Sequence, residues 1–97
     1  MKKLAGRLKL RPGCREEYIK RHDEIWPEMK TMMAEAGIHN YTIWLDGEDL
    51  FEYMEVDDPE AMIAVLKNSE VKKRWDLYMS DILIPCESNF TKAFEFN

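Results

Sequence analysis

The stretch that decides the fold is residues 39–56, HNYTIWLDGEDLFEYMEV. From His39 to Asp46, and again from Leu50 to Val56, successive side chains alternate between two faces, which is the period-two pattern of a strand. A short polar loop that contains Asp-Gly separates the two runs, and such a loop is a strong local indication of a hairpin. These residues therefore predict two antiparallel strands.

A helical pattern split into two parts precedes the hairpin. Cys14, Tyr18 and His22 recur every four residues and would form one stripe of a first helix. Pro27 suits the first turn of a second helix, and Gly37 suits the left-handed position that ends one. We expect two short helices here rather than one long helix.

A second split helical pattern follows the hairpin. Asp58-Pro59 has the cap-then-proline form of a helix start. Apolar residues then continue at helical spacing as far as Ile82, with a predicted break near Asn68-Ser69, and Pro85 is expected to close the helical stretch.

Two more alternating runs lie near the ends of the chain, Leu4 to Leu10 and Phe90 to Phe96, and both are predicted strands. The resulting order is strand, split helix, two strands, split helix, strand. Right-handed crossovers fold this order into an α+β, ferredoxin-like (split βαβ) antiparallel sheet with helices on one face. We expect residues 1–97 to form one such domain.

The predicted second, third and fourth strands carry large apolar side chains on both faces. Helices on one face leave the other bare, so we expect the bare face to be buried against a second copy of the chain. The sequence therefore predicts a homodimer.

Composition argues against several partners and compartments. The 14 Lys and Arg against 19 Asp and Glu give a net charge of −5, which opposes binding to nucleic acid or anionic membranes. No run approaches the roughly 18 apolar residues of a membrane span. Arg7, Lys9 and Arg11 interrupt the place where a signal peptide would need apolar residues. Cys14 and Cys86 form no CxxC spacing, and a reducing, cytoplasmic location is expected.

Tyr18 and His22 are the first candidates for chemistry. A histidine can give and take a proton near neutral pH, and the spacing of four residues aims the phenol and the imidazole at the same volume. A site that handles hydroxyl or ring oxygens would need such groups. A packed structural pair explains the same spacing, and the spacing alone leaves both interpretations open.

Neither metal nor cofactor binding is expected. His39 lies seventeen residues after His22 without an HxH, HExxH or cysteine partner, and the acidic pairs have no recognised ligand spacing. Three Trp and four Tyr offer the flat apolar faces with polar tips that suit sugars, although core packing is the simpler explanation.

Four separated motifs resemble those of one known family. They are Tyr18-x-x-x-His22, Ile25-Trp26-Pro27-Glu28, His39-Asn40-Tyr41-x-Ile43-x-Leu45 and Arg74-Trp75-x-x-Tyr78-Met79-x-Asp81. In this order and at these distances they resemble the L-rhamnose mutarotase family of dimeric ferredoxin-like proteins. The resemblance spans nearly the whole chain.

The resemblance implies a reaction and a set of site residues. The reaction exchanges the α and β anomers of a free deoxyhexose such as L-rhamnose by opening and reclosing the pyranose ring, without metal or organic cofactor. His22 corresponds to the family's proton donor, and Tyr18, Tyr41 and Trp75 correspond to substrate-contacting positions. The base stays open among Tyr18, Asp76, water and a proton relayed by the substrate.

Asp76 departs from the family pattern, in which two adjacent tryptophans are common. A carboxylate accepts hydrogen bonds from hydroxyls where an indole would offer a stacking face, and we expect Asp76 to contact the rim of the sugar. A solvated helix acid beside Lys73 or Arg74 is the alternative for this residue.

Two alternatives for the whole protein are a small dimeric ferredoxin-like oxygenase and a non-catalytic sugar-binding module. In the second of these, His22 and Tyr18 would only hydrogen-bond a ligand. Acceleration of anomer exchange separates a mutarotase from both alternatives.

Overall fold

The computed structural model describes residues 1–97, which form a four-stranded sheet and four helices. In chain order the elements are β1 (Lys2–Leu10), α1 (Arg15–Asp23), α2 (Pro27–Glu35), β2 (Ile38–Asp46), β3 (Asp49–Val56), α3 (Pro59–Asn68), α4 (Glu70–Met79) and β4 (Leu83–Ile84). None of these helices is long and apolar enough to cross a membrane.

The sheet has the strand order β2-β3-β1-β4, and every neighbouring pair is antiparallel. Along β1 and β3 the register pairs Gly6 with Glu52 and Leu8 with Leu50. The face that carries Leu10, Leu50 and Val56 packs against the helices, and we call it the inner face. The opposite, outer face carries Phe51 on β3 and Trp44 on β2. The α+β architecture of the prediction is thereby confirmed.

The β2–β3 hairpin forms where the sequence predicts it, with Gly47 in the left-handed region at φ 61°. The sequence did not predict a β-bulge near the start of β2, where the ladder shifts between His39 and Thr42. Asn40 adopts a φ of 50° there, and its side-chain amide bonds to Glu55. Because the bulge inserts one residue, Tyr41 points to the inner face together with Ile43 and Leu45.

The helix boundaries follow capping chemistry at the positions that the sequence indicated. The Asp58 carboxylate accepts a hydrogen bond from the backbone N–H of Glu60 at 3.0 Å. Ser69 ends α3 and caps α4, since its hydroxyl accepts from the N–H of Lys72 at 3.1 Å. Gly37 follows α2 with φ 75°. Helices α2, α3 and α4 therefore start or stop for a local reason, whereas no side chain caps α1 at Cys14.

The predicted C-terminal strand is wrong. The fourth strand is β4, which pairs with Lys9 and Leu10 of β1, whereas Phe90 to Phe96 forms no ladder. At Arg7, the next site along this edge, the Ser88 hydroxyl and the Cys86 thiol bond to the backbone in place of another strand's main chain. Alternation shows which side chains can share a face, but a strand also needs a neighbour that supplies main-chain hydrogen bonds.

The prediction that helical structure continues to Pro85 is also wrong, because α4 ends at Met79. Ile82 packs in the core from the turn after that helix. The apolar spacing that continues from α4 to Ile82 therefore indicates that Ile82 is buried, and not that it is helical.

Candidate active site

A cavity of about 740 Å³ lies between the inner face of the sheet and helices α1, α2 and α4. Its volume is within the range of roughly 300–1,000 Å³ that is usual for small-molecule sites. Apolar side chains such as Leu8, Met29 and Met54 form much of its wall. A smaller set of polar side chains lines it, namely Arg11, Tyr18, His22, Tyr41, Glu52, Lys72, Asp76 and Ser80.

Tyr18 and His22 lie one turn apart on α1, and their ring centroids are 4.3 Å apart. The Nδ1 atom of His22 lies 3.1 Å from the backbone carbonyl oxygen of Tyr18. A carbonyl only accepts hydrogen bonds, so Nδ1 carries the proton that it donates there. Nε2 is consequently the ring nitrogen that remains for a ligand, and it bears either a lone pair or the proton of the imidazolium.

Burial among the helices lowers the pKa of His22, since a charged ring loses hydration there. The hydrogen bond to the Tyr18 carbonyl and the negative charges of Glu52 and Asp23 act in the opposite direction. The imidazolium of His22 is therefore a stronger acid than an exposed one, and its neutral form is readily regenerated at neutral pH.

Trp75 also packs against the His22 ring, in addition to Tyr18. It meets His22 edge to face at 5.4 Å and Trp26 edge to face at 5.1 Å, and Trp26 in turn stacks on Tyr78 at 5.5 Å. Trp75 is a member of the main hydrophobic core and also lines the cavity. The core and ligand interpretations of this tryptophan are therefore compatible.

Tyr41 reaches the cavity from β2 and donates a hydrogen bond from its hydroxyl to Oε1 of Glu52 at 2.9 Å. Burial raises the pKa values of Tyr18 and Tyr41, and the charge of Glu52 raises both further. Both phenols keep their protons at neutral pH, so they act there as hydrogen-bond donors.

Glu52 is not among the residues that the sequence singled out. The strand pattern alternates Glu52 with Phe51 and Tyr53, which resembles a solvated polar position on a half-buried strand. The available local indication was a carboxylate placed between the apolar Leu50 and Met54 on one face of the strand, whereas its register partner Gly6 follows only from the fold.

Arg21 was also missed, and it anchors α1 to the end of α4. Its guanidinium bonds to the Asp81 carboxylate at 2.9 Å, the Tyr78 carbonyl at 2.7 Å and Glu17 at 3.0 Å. It also lies 4.3 Å above the Tyr78 ring, and only 11% of its side chain is exposed. These contacts hold α1, which carries His22, against the helix that carries Trp75.

Asp76 lies at the mouth of the cavity, and 58% of its side chain is exposed. It pairs with Lys72 one turn earlier on α4, and not with Lys73 or Arg74. A carboxylate and an ammonium group therefore stand together at the entrance.

The cavity thus brings together all the residues that the sequence singled out for a sugar site, from three different elements. They are Tyr18, His22, Tyr41, Trp75 and Asp76. His39 lies elsewhere, paired with Asp57 at 3.1 Å. No three His, Cys, Asp or Glu side chains gather closely enough to hold a metal ion.

Comparison with known proteins finds one family. The family model described as L-rhamnose mutarotase matches residues 3–95. An L-rhamnose mutarotase from Sinorhizobium fredii is 45% identical over 85 residues, which cover 86% of this chain and 81% of that protein. One from Listeria monocytogenes serotype 4b is 41% identical over 97 residues, which cover 98% of this chain and 92% of that protein.

A solved structure agrees with these sequence matches. The crystal structure of an L-rhamnose mutarotase from Formosa agariphila superposes with a TM-score of 0.88 over the full length of both chains. The two sequences are 28% identical. The similarity therefore extends to the whole fold, including every element that lines the cavity.

Proposed function

The chain belongs to the L-rhamnose mutarotase family and interconverts the α and β anomers of L-rhamnose, and we propose that His22 is the proton donor of this reaction. The pyranose ring opens when the bond between C1 and the ring oxygen breaks, and it recloses on the other face of C1. The oxygenase and the non-catalytic sugar-binding module are not favoured, because the matching family model, the relatives described above and the solved structure are L-rhamnose mutarotases.

The main structural support for His22 as the proton donor is the hydrogen bond between its Nδ1 atom and the Tyr18 carbonyl. It occupies Nδ1 and leaves Nε2 for the sugar. A protonated Nε2 placed at the ring oxygen neutralises the negative charge that develops there as the C1–O bond breaks, and a positioned acid of this kind contributes about 10²–10⁴ in rate.

We assign Tyr18, Tyr41, Trp75 and Asp76 to substrate binding. The protonated Tyr18 phenol can donate to a sugar oxygen, and the Tyr41 hydroxyl, whose proton goes to Glu52, can accept a hydrogen bond from a sugar hydroxyl. The indole of Trp75 offers an apolar face to the C–H side of a pyranose ring. Asp76 at the mouth can accept hydrogen bonds from hydroxyls at the rim of the sugar. The support for each assignment is that the side chain lines the same cavity as His22.

NMR saturation transfer between the anomeric protons of L-rhamnose tests the donor role. His22→Asn keeps a polar side chain of similar size but cannot donate a proton as an acid, and we expect exchange to fall at least about tenfold with folding retained. His39→Asn is the matched control, since His39 lies outside the cavity. Unchanged exchange in a folded His22→Asn variant would remove His22 from the mechanism.

We further propose that residues 1–97 form one ferredoxin-like domain that works as a homodimer in the cytoplasm. The sheet order β2-β3-β1-β4 supports the fold class. Exposed aromatic side chains support the dimer, since 67% of Trp44, 80% of Phe94 and 88% of Phe96 remain accessible in the single chain. Two free cysteines, Cys14 and Cys86, support a reducing compartment.

A further inference from the structure

Glu52 places a carboxylate on the inner face of the sheet, where its neighbours along β3 are the apolar Leu50 and Met54. It is half-buried and forms no salt bridge. One of its oxygens accepts the hydrogen bond from Tyr41. Its other oxygen, Oε2, accepts none and remains accessible from the cavity.

The opposite strand makes room for this carboxylate. Gly6 is the register partner of Glu52, and a Cβ atom at Gly6 would lie 3.2 Å from Oε2. Such a contact is tighter than ordinary packing, so a side chain at position 6 would require the carboxylate to shift by a few tenths of an ångström. Burying a charge that has no ion-pair partner is costly. A half-buried carboxylate with a donor that orients it and a glycine that accommodates it is typical of a functional site.

We propose that Glu52 is the general base of the mutarotase reaction, and this inference rests on the proposed function of His22. Oε2 takes the proton of the anomeric hydroxyl, and the oxygen at C1 forms a C=O bond as the C1–O5 bond breaks. The electron pair of that bond goes to O5, which takes the proton from Nε2 of His22. The open-chain aldehyde then faces a protonated Glu52 and a neutral His22.

Reclosure reverses each transfer after rotation about the C1–C2 bond. O5 attacks the other face of C1 and returns its proton to Nε2, while the carbonyl oxygen takes the proton back from Oε2. Both side chains regain their starting charges, so no further reactant is consumed. Glu52 lines the cavity from the sheet and His22 lines it from α1, so a pyranose ring bound between them would contact the two groups on different sides.

Other acceptors in the cavity suit this role less well. The Tyr18 and Tyr41 phenols hold their protons, because burial and the charge of Glu52 raise their pKa values. Asp76 is paired with Lys72 at the mouth, on the solvent side of the cavity. Glu52 is the carboxylate with a free oxygen on the cavity floor.

The test compares Glu52→Gln with Glu52→Ala in saturation-transfer measurements over a range of L-rhamnose concentrations. An amide oxygen still accepts the hydrogen bond from Tyr41 but takes no proton, so we expect kcat to fall at least about tenfold in both variants with KM within about threefold. Glu16→Gln removes the same charge from the exposed side of α1 and is the matched control. Circular dichroism verifies that each variant is folded.

Chemical rescue separates a base from a structural support. Formate can enter the space that Glu52→Ala leaves, and we expect it to restore exchange in that variant without affecting Glu16→Gln. If Glu52→Gln does not fold, formate rescue of Glu52→Ala still tests the proposal. A support for Tyr41 would instead leave Glu52→Gln near wild type and make Glu52→Ala insensitive to formate.

The outcomes distinguish this inference from the proposed function. Wild-type protein that does not accelerate exchange, or a folded His22→Asn variant with full activity, contradicts the proposed function itself. Loss of exchange in His22→Asn together with more than half of wild-type kcat in Glu52→Gln overturns the role of Glu52 alone. Absence of formate rescue in a folded Glu52→Ala variant overturns it as well.

Discussion

The two faces of the β2–β3 hairpin carry side chains of similar size in opposite surroundings. On the inner face, Leu50 is fully buried and Tyr41 and Glu52 are hydrogen-bonded within the cavity. On the outer face, Trp44 is largely exposed and bonds only to its neighbour Thr42. The inner face is thus completed within one chain, whereas the outer face has apolar surface that one chain leaves uncovered. Side chains of similar size therefore contribute to the core and the proposed site on one side, and to the proposed dimer interface on the other.

The largest expected effect is on stability and comes from the inner face. Leu50→Ala removes a side chain with no exposure and leaves a cavity in the main core, so we expect the free energy of unfolding to fall by about 2–5 kcal/mol. Thr42→Ala on the outer face should change it by less than about 0.5 kcal/mol. Urea denaturation of both variants measures the difference, and equal losses would show that the two faces contribute alike.

Association should be affected from the outer face. Trp44→Glu places a charge in the proposed dimer interface, and we expect the dimer dissociation constant to rise at least about tenfold. Leu77→Glu introduces the same charge at an exposed apolar position on α4 and should leave the dimer intact. Sedimentation analysis over a range of concentrations measures both. Dissociation caused by Leu77→Glu alone would place the interface on the helical side.

The bulge in β2 places Tyr41 on the inner face, and it requires Asn40 to adopt a left-handed backbone conformation. The cost of this conformation can be measured by substitution. Asn40→Val puts a β-branched residue at a φ of 50°, and we expect a loss of about 1–3 kcal/mol in stability. Asn40→Gly loses the same bond to Glu55 but tolerates this conformation, so it should be the more stable variant. If thermal denaturation ranks the two variants equally, the strained backbone is not what the asparagine accommodates.

On the inner side of the sheet, the partly buried His22 of α1 should make stability depend on pH. Burial lowers its pKa in the folded state below the ordinary 6.5, so the unfolded chain binds more protons as the pH falls through that value. Stability should therefore be constant above about pH 7 and decrease toward about pH 5.5. His22→Asn should flatten this part of the profile in denaturation experiments, and an unchanged slope would contradict a shielded ring.

The smallest effect is expected at the mouth of the cavity. Asp76→Asn keeps the shape of the side chain but loses its charge and the ion pair with Lys72, and we expect exchange rates to change by a factor that corresponds to about 1 kcal/mol or less. The comparison of L-rhamnose with L-fucose in wild type and variant shows whether the preference between sugars changes. Identical rates and ranking would assign Asp76 to the solvated surface.

Much of the site could be predicted because its motifs are local. Tyr18 and His22 share a face of one helix, and Ser69 caps α4 from within its own turn, so spacing and side-chain chemistry were sufficient. Glu52 could not be predicted in this way. Its proposed role depends on Tyr41 from another strand and on Gly6 from a third, and neither contact has a fixed spacing in the chain.

The sequence by itself determined the order of the elements through the β2–β3 hairpin to α4, since caps, turns and periodicity act over a few residues. The tertiary structure alone decided which C-terminal run would pair. Leu83 and Ile84 lie beside β1 and form a ladder, while Phe90 to Phe96 alternates as well but has no ladder partner. It also decided that a bulge at Asn40 would turn Tyr41 toward Glu52. Both outcomes depend on main-chain hydrogen bonds between distant segments, which local periodicity does not encode.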